Sequence, residues 1–342
     1  MNLKSNIQSF KLNWALVMCL LMVCVATSSW AVTTPDNPTI YSAALDDPSF
    51  PKDTVDAQLS ALSAEAWIMI DAESGKVLSS KNPDKRMYPA SLTKMMTCIL
   101  ACESGRLNEI VTISAKAAST EYGNVKRGEK YVLRDLLYRA MLPSDNGAAH
   151  AIGEFVAAPD SVSFADLMNS KAKQLGMKNT NFVNAHGLPN ENHYTTARDM
   201  MTLVEYCMKN KDFAEIVSNS TRDITTTSGK KIHLKSTNKL YGRYDGCIGI
   251  KTGTTRAAGG CLASAVVRDG MKIYLVLLKC TPARQRTDES IVLYDMGFEM
   301  MKTFAAQKKK QREKRGNVPR PKKNVYDHDQ MNHQGVPIPK KK

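Results

Sequence analysis

Ser91 and Lys94 stand three residues apart just after Pro89, in the stretch PASLTKMM, which reads as the first turn of a helix. Residues three apart on a helix share a face, so the lysine amine can fold back toward the serine hydroxyl. A serine hydroxyl is a weak nucleophile near neutral pH and needs a base within hydrogen-bond reach. Lysine acts as that base only where burial and a neighbouring cation favour its neutral form over an ordinary pKa of about 10.4. The spacing alone proves little. Ser91 would serve equally well as a helix N-cap with Lys94 in water, and the same spacing recurs at Ser49/Lys52, Ser170/Lys173, Ser228/Lys231 and Ser236/Lys239.

Two further groups raise the reading. PSDNGAAHA places Ser144, Asp145 and Asn146 in a turn before a helix, and GIKTGTTRAAGGC places Lys251, Thr252 and Gly253 at the end of a strand. Each is ordinary by itself, one a capping turn and the other a strand exit. Together with Ser91 and Lys94 they complete a mechanism. Lys251 supplies the neighbouring cation and attracts a substrate carboxylate, while Ser144 and Asn146 relay a proton to a leaving amine and hold a substrate amide.

The elements that must position these groups follow from period and breakers. AWIMIDAESGKVLSS reads as a hairpin, and a helix is expected from Ser91 to about Glu103, with Met95, Ile99 and Cys102 on one stripe. LRDLLYRAML, GAAHAIGEFVAA, SFADLMNSKAKQLGM and TARDMMTLVEYCMKN carry helical spacing. KKIHLKS, GCIGIKT, GCLASAVV and KIYLVLLK then read as antiparallel strands, with RDG a tight turn between the last two. A closing helix from about Asp288 to Phe304 puts Val292, Met296, Met300 and Phe304 on one face. The expected fold is α/β of the α+β type: one antiparallel sheet holding both ends of the domain, helices on its faces, and a helical lobe inserted between. A cleft would run between sheet and lobe.

The order S-x-x-K, S-D-N, K-T-G is the triple shared by penicillin-binding proteins and serine β-lactamases. Across roughly residues 60–305, segments such as NTNFVNAHGLPNENHYTTARDM and GIKTGTTRAAGGCLASAVVRDG resemble the serine D-alanyl-D-alanine carboxypeptidase family, the low-molecular-weight penicillin-binding proteins. The resemblance implies a β-lactamase/transpeptidase-like fold and a Ser91 acyl-enzyme. It also implies removal of the terminal D-alanine from peptidoglycan stem pentapeptides ending in D-Ala-D-Ala, and β-lactam antibiotics as covalent inhibitors. Its oxyanion hole would be the backbone N–H groups of Ser91 and Thr254, donors that typically contribute roughly 3 kcal/mol each. Lys251, Thr252, Gly253 and Thr254 would bind substrate, with Arg256 a weaker candidate. The chain departs from many members at Asp145, where they carry Gly or Ala, and Asp145 receives no carried-over role. Members often add a β-rich second domain and an amphipathic C-terminal helix, where this chain passes into a basic segment.

The ends read differently from the middle. Residues 1–31 have the layout of a secretory signal: Lys4 and Lys11, an apolar run from Leu12 to Ala26, then Ser29 and Ala31 before the cleavage point. An uncleaved anchor would fit the same run. Residues 32–58 read as a leader, 59–305 as the catalytic domain, and 306–342 as a basic, disordered tail. The net charge of +14 invites a nucleic-acid reading, but Lys308 to Lys342 hold twelve Lys or Arg against three acids. Removing that +9 and the two signal lysines leaves +3 for residues 32–307. No nucleic-acid partner is expected; the tail suits anionic membrane or wall polymers, or serves only solubility. The protein is expected outside the cytoplasmic membrane, in the cell envelope.

Six cysteines follow residue 31, and Cys98 and Cys102, one helical turn apart, are expected as buried thiols rather than a disulfide. Neither C-x-x-C nor H-x-x-x-H occurs, so no metal site and no cofactor are expected. His186 and His193 invite a Ser-His-Asp triad, but Lys94 already fills the base's place and no G-x-S-x-G elbow surrounds Ser91. Glu191 raises the competing reading of a serine β-lactamase, although its surroundings do not resemble the loop that carries the water-activating glutamate of class A enzymes. The same residues would also suit a D,D-endopeptidase, or a penicillin-sensing or wall-binding module without turnover.

Overall fold

The computed structural model describes residues 39–40, 52–158 and 162–316. In chain order the elements are β1 (Thr39–Ile40), α1 (Lys52–Ser60), β2 (Ala66–Asp71), β3 (Val77–Lys81), a 3₁₀ turn (Ala90–Thr93), α2 (Lys94–Glu103), β4 (Ile110–Thr112), α3 (Ala115–Ala118), β5 (Lys130–Val132) and α4 (Leu133–Met141). There follow α5 (Asn146–Ala157), α6 (Phe164–Gln174), α7 (Ala197–Cys207), α8 (Lys211–Val217), β6 (Thr221–Thr225), β7 (Lys231–Lys235), β8 (Cys247–Thr255), β9 (Gly259–Arg268), β10 (Met271–Cys280) and α9 (Gln285–Gly316). The chain divides into two units, residues 1–301 and 302–342.

The first unit is built on an antiparallel sheet ordered β1-β3-β2-β10-β9-β8. Strands from both ends of the domain meet at its centre, where Leu277 of β10 pairs with Trp67 of β2 and Leu262 of β9. Both faces are covered, so β2, β9 and β10 read as nearly continuous apolar runs instead of alternating ones. On one face Ile68, Ile70, Tyr274, Val276 and Leu278 join the core of the helical lobe. On the other, Tyr294 of α9 reaches Ser264 Oγ at 2.8 Å. The turn between β9 and β10 is the expected tight one, with Asp269 at φ 50° and Gly270 at 76°.

α2 runs through the middle of the lobe and is buried nearly all round, from Lys94 through Ile99 and again at Ala101 and Cys102. A helix apolar on every side belongs in a core, and that is why its single cation is sealed there too. The expected helices of the middle are α4, α5, α6 and α7.

Four expectations change. KKIHLKS forms β7, but β7 pairs only with β6 in a separate two-stranded hairpin and adds nothing to the main sheet. The leader expected over residues 32–58 contributes an edge strand, β1 against β3, and most of α1, whose Val55 and Leu59 are buried. The closing helix buries Leu293, Tyr294, Met296, Phe298 and Met300, while Val292 is only half-buried and Phe304 falls in the second unit. That helix persists to Gly316, so the tail expected as disordered from residue 306 is helical up to that point. Its remainder, 317–342, and the signal segment 1–31 lie outside the described residues.

One contact joins the two ends of the domain. Glu289 of α9 accepts from Ser63 N at 2.9 Å, Ser63 Oγ at 2.5 Å and Ala64 N at 3.0 Å, just before β2. Losing an acceptor buried against backbone donors costs the desolvation of each orphan. Glu289→Ala is expected to lower unfolding stability by about 2–4 kcal/mol. Urea denaturation checks this, with a lower midpoint at unchanged slope as the expected result.

Candidate active site

The stretch before α2 is held in an uncommon conformation. Ala90, a residue with a Cβ, sits at φ 47°, and the 3₁₀ turn Ala90–Thr93 follows directly. Two glycines allow the surrounding chain to close on it. A Cβ on Gly253 of β8 would lie 3.0 Å from Ser91 N and 3.1 Å from Pro89 O, and one on Gly187, at φ 91°, would lie 1.9 Å from Ala90 O. Only a residue without a side chain brings those two backbones this near the serine.

The helical step then puts Lys94 Nζ 3.0 Å from Ser91 Oγ. The same nitrogen reaches Asn146 Oδ1 at 2.7 Å and the backbone carbonyl of His186 at 2.8 Å. A neutral amine has two hydrogens and one lone pair. The two carbonyl-type acceptors take the hydrogens, which leaves the lone pair facing the Ser91 hydroxyl. Burial favours that state: it lowers the Lys94 pKa to about 7, against the opposing pull of the Asp145 charge. Lys251, also buried, is driven well below its ordinary range by burial and then by the charges of Lys94 and Arg286. Burial is the largest cause at both amines, and the repulsion between the two lysines works in the same direction, against a proton on either. The Lys251 amine donates to Thr252 O at 2.9 Å.

Asn146 is fixed from the other side, its Nδ2 donating to Glu121 O at 2.7 Å. Asp145, which had no expected role, turns out to organise this corner. It caps α5 by accepting from Ala148 N at 3.0 Å, accepts from Asn124 N at 3.1 Å, and pairs with the buried Arg139 Nε at 2.9 Å. Ser144, immediately before it, is held at φ 68°.

These parts line a cavity of about 480 Å³, which includes Ser91, Ser144, Asn146, Thr237, Thr252, Thr254, Arg256 and Arg286. The Ser144 hydroxyl makes no protein hydrogen bond among the described residues, so it is brought to the cavity without being tied to Lys94 or Lys251. Thr252 Oγ1 lies 2.5 Å from Thr237 Oγ1. Arg286 of α9 donates to Gly253 O at 2.9 Å and to Thr254 Oγ1, which places a guanidinium at the strand's end. A second hollow of about 450 Å³ contains Glu191 and none of the catalytic candidates.

The sequence named Ser91, Lys94, Ser144, Asn146, Lys251, Thr252, Gly253 and Thr254 as candidates, and the fold brings all of them to this corner. It missed Arg286, which lies beyond the K-T-G strand on a helix read only for its apolar stripe. It also missed the His186 and Glu121 carbonyls, because backbone acceptors leave no signal in residue type. His193 is a buried structural residue, bonded to Thr93 Oγ1 at 2.8 Å and to Val183 N at 3.2 Å. Burial holds it neutral, at a pKa of about 4. His186 is held lower still, at about 3, by burial and the charge of Lys94.

An antiparallel sheet beside a helical lobe, with a serine and a sealed lysine on the first helix and a K-T-G strand along the cavity, is the arrangement of the serine DD-peptidases. The family model described as D-alanyl-D-alanine carboxypeptidase matches residues 52–281, and the chain belongs to that family. It is 31% identical over 255 residues to the D-alanyl-D-alanine carboxypeptidase DacF of Bacillus subtilis (strain 168), covering 72% of this chain and 65% of that relative. It is 33% identical over 259 residues to the D-alanyl-D-alanine carboxypeptidase DacC of Escherichia coli (strain K12), covering 71% of this chain and 63% of that relative. The chain therefore spans somewhat less than two thirds of either relative. The crystal structure of the Streptomyces K15 DD-transpeptidase matches with a TM-score of 0.66 at 29% identity, covering 70% of this chain and 98% of that one.

The Asp145–Arg139 pair generates a test of how the corner is held. Replacing one partner of a buried pair leaves the other charge uncompensated. Arg139→Met is expected to cost about 3–5 kcal/mol of stability, measured by chemical denaturation.

Proposed function

We propose that this protein is a serine D-alanyl-D-alanine carboxypeptidase, removing the terminal D-alanine from peptidoglycan stem pentapeptides through an acyl-enzyme on Ser91. The observation that carries the reading is the buried Lys94 amine, 3.0 Å from Ser91 Oγ, 2.7 Å from Asn146 Oδ1 and 2.8 Å from His186 O.

Lys94 takes the hydroxyl proton as Ser91 Oγ attacks the carbonyl carbon of the penultimate D-alanine. The oxyanion forms against the N–H groups of Ser91 and Thr254, on the two backbones that Gly253 lets approach. The proton that Lys94 took from Ser91 passes through the Ser144 hydroxyl to the departing D-alanine amine, while Asn146 holds a substrate amide. The D-alanine carboxylate is drawn by Thr252, Thr254, Lys251 and Arg286, two hydroxyls, a buried amine and a half-buried guanidinium at the strand's end. Water then releases the acyl group, and no cofactor enters.

A class A β-lactamase mechanism is disfavoured by the position of Glu191 in the second hollow. Endopeptidase action uses the same residues and would need only a cleft that admits a cross-linked partner. We also place the protein in the cell envelope, exported through residues 1–31, with the basic tail binding anionic membrane or wall polymers. The layout of the signal and the concentration of charge after Lys308 support this. Removal of residues 308–342 is expected to abolish salt-sensitive retention on anionic vesicles.

Incubation with penicillin is expected to add one acyl group to the wild-type mass and none to Ser91→Ala. Lys94→Ala is expected to acylate about 10²–10⁴-fold more slowly. Because the protonated amine cannot act as base, the acylation rate should fall on the acid side with a midpoint near pH 7, the pKa to which burial lowers Lys94. Release of free D-alanine, measured beside penicillin turnover, separates a carboxypeptidase from a β-lactamase and from a binding module. Penicillin hydrolysis faster than D-alanine release would overturn the reading.

A further inference from the structure

The catalytic cavity has a side that the proposed reaction leaves unused. Glu121 and Tyr122 stand on the turn between α3 and β5, at the cavity's lobe wall. The turn is pinned from below: Asn146 Nδ2 donates to Glu121 O at 2.7 Å, and Asn146 N donates to Tyr122 O at 3.4 Å. Tyr122 holds a left-handed conformation, φ 58°, that a residue with a Cβ adopts at a cost. Tyr122 is 80% exposed, the most open large apolar residue among those described. The Glu121 carboxylate is exposed and has no hydrogen bond or ion pair among the described residues.

Charge makes this wall informative. Among the described residues that line the cavity, Glu121 is the one acid. The cations Arg256 and Arg286 belong to the facing wall, where Arg286 is bonded to the Thr254 end of β8. The cavity is therefore polarised, positive where a C-terminal carboxylate would bind and negative at the lobe wall across from it. A neutral peptide has no use for the negative side. A peptide that carries a side-chain ammonium just upstream of its D-Ala-D-Ala end matches both.

We propose that Glu121, with the Tyr122 ring as an apolar ledge for the methylene stem, forms a specificity subsite for the free side-chain amine of a diamino acid preceding D-Ala-D-Ala. The proposal rests on the carboxypeptidase reading and narrows its substrate. An amine already joined in an amide cross-link carries no charge, so the subsite favours stems not yet cross-linked through that residue.

The test compares D-alanine release from Nα-acetyl-Lys-D-Ala-D-Ala and from the same peptide acetylated on the side-chain amine as well. Wild type is expected to favour the free amine in kcat/KM by about threefold to fivefold at low ionic strength, the size of an exposed ion pair, with the preference shrinking as salt is added. Glu121→Gln should bring the ratio to about one, and Glu121→Lys should invert it. Penicillin labelling of each variant, read by intact mass, shows that the serine site is assembled when the ratio is measured. A wild-type ratio near one, or a preference that survives Glu121→Gln or ignores salt, overturns the subsite while leaving the carboxypeptidase standing. Release from neither peptide by a wild type that labels with penicillin overturns both.

Discussion

The structure turns on a charge that is kept out of water. An ammonium moved into a protein interior loses its hydration, and without a partner anion the cheaper course is to shed the proton. Among the described residues no carboxylate is bonded to Lys94, whose amine meets only a side-chain amide, a backbone carbonyl and a hydroxyl. The rest of the domain serves that condition. The apolar girth of α2 seals the amine, α5 delivers Asn146, and the loop carrying His186 closes over the remaining side. Ser170 and Lys173 have the same spacing on α6, but both are exposed, and water there supplies none of that burial.

Much of this was legible beforehand because the informative residues are polar groups of defined type at defined places in order. The helices of the middle, the hairpin of β2 and β3 and the tight turn at Asp269 and Gly270 each follow from a local pattern. Partnership between distant strands is less accessible. β7 has as good a strand pattern as β8, yet one lies in a detached hairpin and the other at the edge of the main sheet. Local propensity says that a segment is extended, not which edge it will find. The same limit hid Arg286, whose role depends on α9 passing the end of β8.

Asp145 shows how a departure from the family pattern can be absorbed. An acid here brings a negative charge near a lysine that must stay neutral, and its field does oppose the loss of the Lys94 proton. The chain answers with Arg139, buried alongside and hydrogen-bonded to the same carboxylate, while the other carboxylate oxygen caps α5. The acid thus works as a rivet for the Ser144 turn, and burial still outweighs its pull on Lys94.

The thiols carry a different consequence. Cys98, Cys102, Cys207, Cys261 and Cys280 are all free and buried, and burial lifts Cys98, Cys207, Cys261 and Cys280 away from the reactive thiolate form. Packing, not pairing, protects them. The sequence holds eight cysteines, and in an oxidising compartment the unfolded chain would offer many wrong ways to join them, whereas the native state buries five of the six that are described. Maturation there would be a race between collapse and oxidation, and a thiol-alkylating reagent applied to the finished protein would reach the five buried thiols only in molecules that had come open.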